Sequence, residues 1–288
     1  MASLFRDNAL DAGLLQLRPV LFTVAYKMTR SRVQSEDIVH DVLLDFVTRQ
    51  PGQVEDERKY LAKAVIYKCL DFLRRKSSKV YVGIDLPEPV ADEWLLTEIR
   101  HDISFGVVVI LQELNPVERA CFVLRECFDF QYHELAQLLD LTQDNCRQIV
   151  HRAKAKISGF SGETRRTQQA KSFEQLFLAA CESGDLAAIT RYLKQEVVLY
   201  ADGGGKAKAA LNPLRTKELV LKYLAGIHSK YGNLLRYHLV AVNGQQAILS
   251  VLKETNQPDS LVVFGGNEEG IDAIYVVRNP DKLRAFAT

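Results

Sequence analysis

The sequence has no surplus of charge of either sign, no paired cysteines and no long apolar run. Thirty-seven Lys and Arg stand against 36 Asp and Glu in 288 residues. Spread evenly, that balance would argue against a nucleic-acid partner. The five cysteines (Cys69, Cys121, Cys127, Cys146, Cys181) are odd in number and none falls in a C-x-x-C pair. Most sit at apolar helical positions, which predicts reduced core residues rather than zinc ligands or disulfides. Arg6, Asp7 and Asp11 break up the only stretch that could serve as a secretory signal, and no run reaches membrane-spanning length. The expectation is a reduced, cytoplasmic protein without a membrane segment, metal or cofactor, long enough for two or three domains.

The charge is not spread evenly. Between Arg58 and Lys79 stand Arg58, Lys59, Lys63, Lys68, Arg74, Arg75, Lys76 and Lys79, with Asp71 the one acid. Further on, QYHELAQLLDLTQDNCRQIVHRAKAKI (Gln131–Ile157) carries two apolar helical faces. Leu135, Ala136, Leu138 and Leu139 form the first; Cys146, Ile149, Val150, Ala153 and Ile157 form the second. Thr142 stands where its hydroxyl can cap the second helix. Two short helices joined tightly, the second longer and basic, make the helix-turn-helix pattern. Asn145, Arg147, Gln148, His151, Arg152 and Lys154 are left on the outer face. Asn, Gln and Arg can read base edges, and Lys with a second Arg can neutralise phosphate. An ordinary helical hairpin with a solvated basic face is the alternative.

From the start, Leu14–Thr29 reads as a helix with Leu14, Leu17, Leu21, Val24 and Ala25 inward and Pro19 near its start or at a mild kink. Ser35 offers a cap to the next helix, whose core face is Ile38, Val42, Leu43 and Phe46. Asp37, Asp41 and Asp45 recur every fourth residue. Such a stripe repels itself slightly, which suggests a basic partner, with a solvated face the alternative. In the helix after Pro51-Gly52, Leu61, Val65, Cys69 and Phe72 form the core line. Lys59, Lys63, Tyr67 and Arg74 share the other side, cations for phosphate and a ring for an unstacked base. A plain amphipathic helix would look similar. Gly83, Pro87 and Pro89 mark a linker. Helices follow over Leu95–Glu113 and from Asn115-Pro116 onward. After Gly159 comes a polar stretch, then helices around Phe173–Ala180 and Ile189–Leu193, a strand entering Gly203-Gly204-Gly205, a helix over Arg215–Tyr231, and four segments with antiparallel strand character. Helices followed by a curved sheet make an α+β roll.

In this order the pieces resemble an extracytoplasmic-function (ECF) sigma factor over the first 160 residues. SEDIVHDVLLDF resembles the segment that docks on the polymerase clamp, which implies Glu36, Asp37, Asp41 and Asp45 as polymerase contacts. KYLAKAVIYKCLDFLRRK resembles the segment that melts and reads the minus-ten element, implying Lys59, Tyr60, Lys63, Tyr67, Arg74 and Arg75. The helix-turn-helix resembles the σ4 domain that reads the minus-thirty-five element and meets the polymerase flap. The remainder is similar to a SnoaL-like cone, fused in one subgroup of these factors. Three tags fit that subgroup: LPEP (Leu86, Pro87, Glu88, Pro89), DGGGK (Asp202, Gly203, Gly204, Gly205, Lys206) and NPDKL (Asn279, Pro280, Asp281, Lys282, Leu283). The pattern departs from the family at Asp85 and Tyr60, where Trp is usual.

The resemblance implies all-α σ2-like (1–78) and σ4-like (99–159) domains, a linker (79–98), a second linker (160–171) and a SnoaL-like domain (172–288). It further implies core RNA polymerase and promoter DNA as partners, no separate anti-sigma factor, and a tail acting in cis on the linker. A one-component regulator with a ligand-sensing tail is the alternative, and a SnoaL-type enzyme a weaker one. SnoaL-like folds enclose a pocket that could take a small ligand, and His228, His238 and Asp272 are its candidate acid/base groups. DGGGK lacks the phosphate-binding loop pattern, so its glycines read as a close backbone approach.

Overall fold

The computed structural model describes residues 12–49, 54–76, 83–92, 104–159, 168–267 and 269–287. In chain order the helices are α1 (Ala12–Thr29), α2 (Arg32–Arg49), α3 (Glu57–Lys76), α4 (Phe105–Ile110), α5 (Pro116–Phe128), α6 (Tyr132–Leu139) and α7 (Gln143–Gly159). Then come α8 (Gln168–Ser183), α9 (Ala187–Thr190), β1 (Leu193–Asp202), β2 (Leu214–Arg215) and α10 (Lys217–Tyr231). Strands β3 (Leu235–Val242), β4 (Gln245–Leu252), β5 (Pro258–Asn267) and β6 (Gly270–Val277) complete the chain. Two compact units form: residues 1–78 with 111–155, and residues 79–110 with 156–288.

In the first unit, α1, α2 and α3 pack on one another because each carries an unbroken apolar stripe. Leu21, Val24, Ala25, Tyr26 and Met28 of α1 meet Val39 and Val42 of α2 and Leu61, Val65 and Cys69 of α3, all buried. Pro19 lies inside α1, and the Thr23 hydroxyl donates back to its carbonyl at 3.1 Å. Helix α2 begins three residues before the expected cap. Ser35 is buried inside it, its hydroxyl donating to the Ser31 carbonyl at 2.6 Å. Helix α5 starts with a capping box: Asn115 Oδ1 accepts from the Glu118 amide and Glu118 Oε2 from the Asn115 amide. Buried Arg119 is a feature no periodicity suggested. Its guanidinium donates to the carbonyls of Leu111 (2.8 Å), Met28 (2.6 Å) and Leu114 (3.1 Å), tying the end of α1 to the start of α5. Burial, with Arg30 nearby, lowers its pKa to about 10.

The second unit is built on one six-stranded sheet in the order β2-β1-β6-β5-β4-β3, in which β1 runs parallel to β6 and every other pair is antiparallel. Both faces are covered. Along β6, Ile271, Ile274 and Val276 face a core with Phe173 and Phe177 of α8 and Val220 of α10. Ala273, Tyr275 and Val277 face a second core with Leu86 of the linker and Phe105 of α4. An antiparallel sheet commonly leaves one face to water. Here the residues ahead of α5 in the chain cover it.

Several expected boundaries move. The stretch expected as helix from Leu95 is described from Ser104, as α4 and a 3-10 turn over Leu111–Glu113, and α4 packs with the sheet instead of the helix-turn-helix. By packing, residues up to Ile110 group with the sheet. Arg215 lies in β2, so the helix begins at Lys217, and Leu193 opens β1. Residues 79–82, 93–103 and 160–167 of the expected linkers and of the Leu95 helix lie outside the described residues.

Candidate nucleic-acid interface and linker latch

Helices α6 and α7 turn about Asp140, whose φ of 55° and ψ of 50° place it in the left-handed region that ends α6. Thr142 Oγ1 accepts from the Asn145 amide at 3.2 Å, the expected cap. Leu135, Cys146, Ile149, Val150 and Ala153 are buried, so α7 presents Arg147, Gln148, His151, Arg152 and Lys154 to solvent, with Asn145 half-buried. Three of the cations are already partnered. Arg147 meets Asp144 at 2.6 Å and lies over the Tyr132 ring, Arg152 is 3.6 Å from Glu118, and Lys154 is 3.0 Å from Glu126. Exposed pairs of this kind are worth about 0–1 kcal/mol, so these cations can leave their present partners at little cost.

On α3, Lys63, Tyr60, Tyr67, Arg74 and Arg75 are exposed and Lys59 is half-buried. Two of these face the helix-turn-helix within the same unit. Lys59 Nζ meets Glu134 at 2.8 Å and lies 5.2 Å from the Phe130 ring centre, and the Tyr67 hydroxyl donates to the Leu138 carbonyl at 3.4 Å. Lys59 holds the Glu134 carboxyl below its usual range. Arg74 pairs with Asp71, and the Tyr60 ring sits 5.7 Å from Phe46. On α2, Asp37 is exposed and Glu36 pairs with Arg32. Asp41 and Asp45 share Lys68, at 3.4 Å and 3.1 Å. Lys68 thus relieves the repulsion that the stripe alone would carry.

The three tags converge in the second unit. Asp202, fully buried at the end of β1, accepts from the Leu86 amide (3.1 Å), the Gly204 amide (2.8 Å) and Lys282 Nζ (2.7 Å). Lys282 also donates to the Asp85 carboxylate and the Leu86 carbonyl. Asp85, the departure from the usual tryptophan, is a working member of this cluster. Gly204 has φ +62°, and a Cβ there would lie 2.3 Å from the Asn279 side chain, which explains a glycine against NPDKL. Lys206 pairs with Asp281 at the surface; with Arg284 it holds the Asp281 carboxyl below the usual range. Pro87, Pro89 and Leu283 are buried, Glu88 is half-buried, and Pro280 is exposed.

A second grip on the linker was not anticipated. The Asn243-Gly244 turn between β3 and β4 has positive φ at both residues, 53° and 75°, as a tight hairpin requires. Asn243 Oδ1 accepts from the Val90 amide at 3.0 Å, its own amide donates to the Val90 carbonyl at 2.9 Å, and the Gly244 amide donates to Asp92 at 2.8 Å. Asn-Gly is legible as a turn. Nothing in the sequence says that the turn holds residue 90.

The candidate acid/base groups do not converge. His228 Nδ1 lies 2.8 Å from the Cys181 carbonyl oxygen, His238 is exposed on β3, and Asp272 lies 3.9 Å from Lys194. Burial pushes the thiols of Cys69, Cys121 and Cys146 up, which suits inert core residues, and all five cysteines are free. Among the described residues no helix is long and apolar enough to cross a membrane.

Residues 107–157 match the model of sigma-70 region 4. The ECF RNA polymerase sigma factor SigJ of Mycobacterium tuberculosis is 29% identical over 243 residues, which is 80% of this chain and 77% of that one. The probable ECF RNA polymerase sigma factor SigI of the same species is 25% identical over 61% of this chain and 64% of its own. The crystal structure of SigJ matches with a TM-score of 0.77 at 25% identity, covering 94% of this chain and 97% of that one. The chain therefore carries a sigma-70 region 4 helix-turn-helix and, over most of its length, is similar to the extracytoplasmic-function sigma factors of RNA polymerase.

Proposed function

We propose that this protein directs core RNA polymerase to specific promoters and that its C-terminal domain sets the output in cis through the linker. The first half is the sigma-factor function itself, with core polymerase and promoter DNA as partners. The observation that carries the second half is the Asp202–Lys282 cluster on Leu86. Residues 83–92 join the σ2-like helices to α5 along the chain, and the tail domain holds them by backbone hydrogen bonds at Leu86 and Val90. A tethered contact works at an effective concentration up to about millimolar, so a modest affinity suffices.

In the finer assignment, the α2 face with Asp37 and Asp41 docks on the polymerase clamp, the helix-turn-helix meets the flap, and α3 takes the melted minus-ten strand. The tail replaces a separate anti-sigma factor, acts by contact without catalysis, and the protein works in the cytoplasm. Run-off transcription with purified core polymerase tests the assignment. Wild type should give one promoter-dependent transcript, and the double variant Asp37→Lys, Asp41→Lys should neither bind core nor transcribe while remaining folded. Normal core binding by that variant would remove α2 from the interface.

A further inference from the structure

Asn243-Gly244 is the one Asn-Gly pair in the sequence. In such a pair the glycine nitrogen can attack the asparagine carboxamide carbon, because glycine has no side chain to shield the approach. A new N–C bond closes a five-membered imide, and the C–NH2 bond breaks to release ammonia. Water then opens the imide at one carbonyl or the other, leaving aspartate or isoaspartate. Water is the only co-reactant. In a folded chain the rate depends on whether the backbone can turn to bring nitrogen and carbon together.

Here the linker holds both reacting groups. The nucleophile, the Gly244 amide, donates to Asp92 at 2.8 Å. The electrophile, the Asn243 carboxamide, accepts from the Val90 amide through Oδ1 at 3.0 Å. The Asn243 amide donates to the Val90 carbonyl at 2.9 Å, and Ala91 bridges to Val242 beside the same turn. The φ angles of 53° and 75° set the pair in a tight hairpin, and Asn243 is only 1% exposed. Cyclisation requires rotation about the Asn243 Cα–C bond. That rotation would pull Gly244 off Asp92 and the carboxamide off Val90. Reaction therefore waits on a local opening that releases residues 90–92.

We propose that Asn243 is a deamidation site gated by the linker. With the linker held, the pair is stable; with it released, the pair converts, and the conversion is one-way. In the isoaspartate product the main chain runs through the former side chain. This adds a methylene to a two-residue turn and takes the carboxamide oxygen away from Val90. The aspartate product puts a second carboxylate one residue from the amide that Asp92 holds, and like charges at short range repel. Neither product rebuilds the grip as it was, so a long release leaves this hold on the linker weaker for good. That consequence deepens the reading of control through the linker and rests on it; the chemistry and its gating do not.

The test incubates full-length wild type, Asp92→Ala and Val90→Pro in warm neutral buffer. Peptide mapping by mass spectrometry follows the mass gain at Asn243 and separates aspartate from isoaspartate. Asp92→Ala frees the Gly244 amide, and Val90→Pro removes the N–H that holds the carboxamide. Each should convert at least about tenfold faster than wild type, with circular dichroism and unchanged exchange at the β5 and β6 amides confirming the fold of at least one of them. Converted wild type, separated by its added charge, should exchange the Val90 amide at least about tenfold faster than unconverted protein. Equal rates in wild type and a folded variant, slower conversion in Asp92→Ala, or no conversion at Asn243 in any of the three would overturn the gating. Unchanged Val90 exchange after conversion would overturn the one-way weakening. These readouts involve neither polymerase nor promoter, so their failure is separate from failure of the sigma-factor reading.

Discussion

Replacing Asp202 with alanine should release the linker while the C-terminal domain stays folded. The carboxylate is fully buried and receives three hydrogen bonds, two from backbone amides and one from Lys282. Hydrogen bonds to a charged group contribute about 1.5–3 kcal/mol each, and breaking a buried pair costs about 3–5 kcal/mol. Lys282 keeps Asp85 and the Leu86 carbonyl and is 17% exposed, so the lower end, about 3 kcal/mol, applies. That is roughly a hundredfold in the opening equilibrium. The sheet core does not depend on Asp202, because its two apolar faces close around β6 and β5. Native-state hydrogen exchange should therefore show the Leu86 amide exchanging about a hundredfold faster in Asp202→Ala, with the β5 and β6 amides unchanged. Lys206→Ala removes an exposed pair worth at most about 1 kcal/mol and should change Leu86 exchange by less than about fivefold. Equal acceleration in the two variants would refute the reasoning, because the buried cluster would then not be what holds the linker.

Other outcomes follow from the first unit. Arg147→Ala should lose about 1–3 kcal/mol of discrimination at one promoter position, whereas Lys154→Ala should weaken all sequences alike and reduce the salt slope by about one; binding titrations against promoter variants separate the two. Glu134→Gln should free Lys59 and tighten binding of a single-stranded minus-ten oligonucleotide about two- to fivefold, measured by fluorescence anisotropy. The Glu134 pKa is lowered by Lys59, so the clasp is fully present above the ordinary glutamate range and is lost as pH falls through the depressed value. The difference between wild type and Glu134→Gln should therefore be constant from pH 8 to about 5 and shrink only in acid. Arg119→Lys keeps the charge but not the three-carbonyl fork, and should cost about 2–4 kcal/mol in urea unfolding.

Periodicity revealed what it can: the buried stripes of α1, α3 and α7, the Thr142 cap, and strands β3 to β6. The misplaced Ser35 cap shows its limit. A serine before acids looks like a helix start, but Thr29 and Ser31 take its hydroxyl into the core and the helix begins earlier. The tags were legible as a set through the resemblance, but their grouping around a buried Asp202 was not. The division of labour among them, with Asp202 and Lys282 buried and Lys206 and Asp281 at the rim, depends on which face of β1 meets the linker. Asn243, through Val90, and Arg119, through Met28, act on backbone groups far along the chain, and local sequence carries no signal for such partners. The parallel pairing of β1 with β6 is likewise non-local.

Single-round run-off transcription from one promoter, with core polymerase and either wild type or Asp202→Ala, tests the cis control most directly. Both proteins should bind core and start at the same position, and the variant should differ in transcript yield in step with its faster Leu86 exchange. Identical yields from the two proteins, with the linker shown by exchange to be released in the variant, would contradict control through the linker.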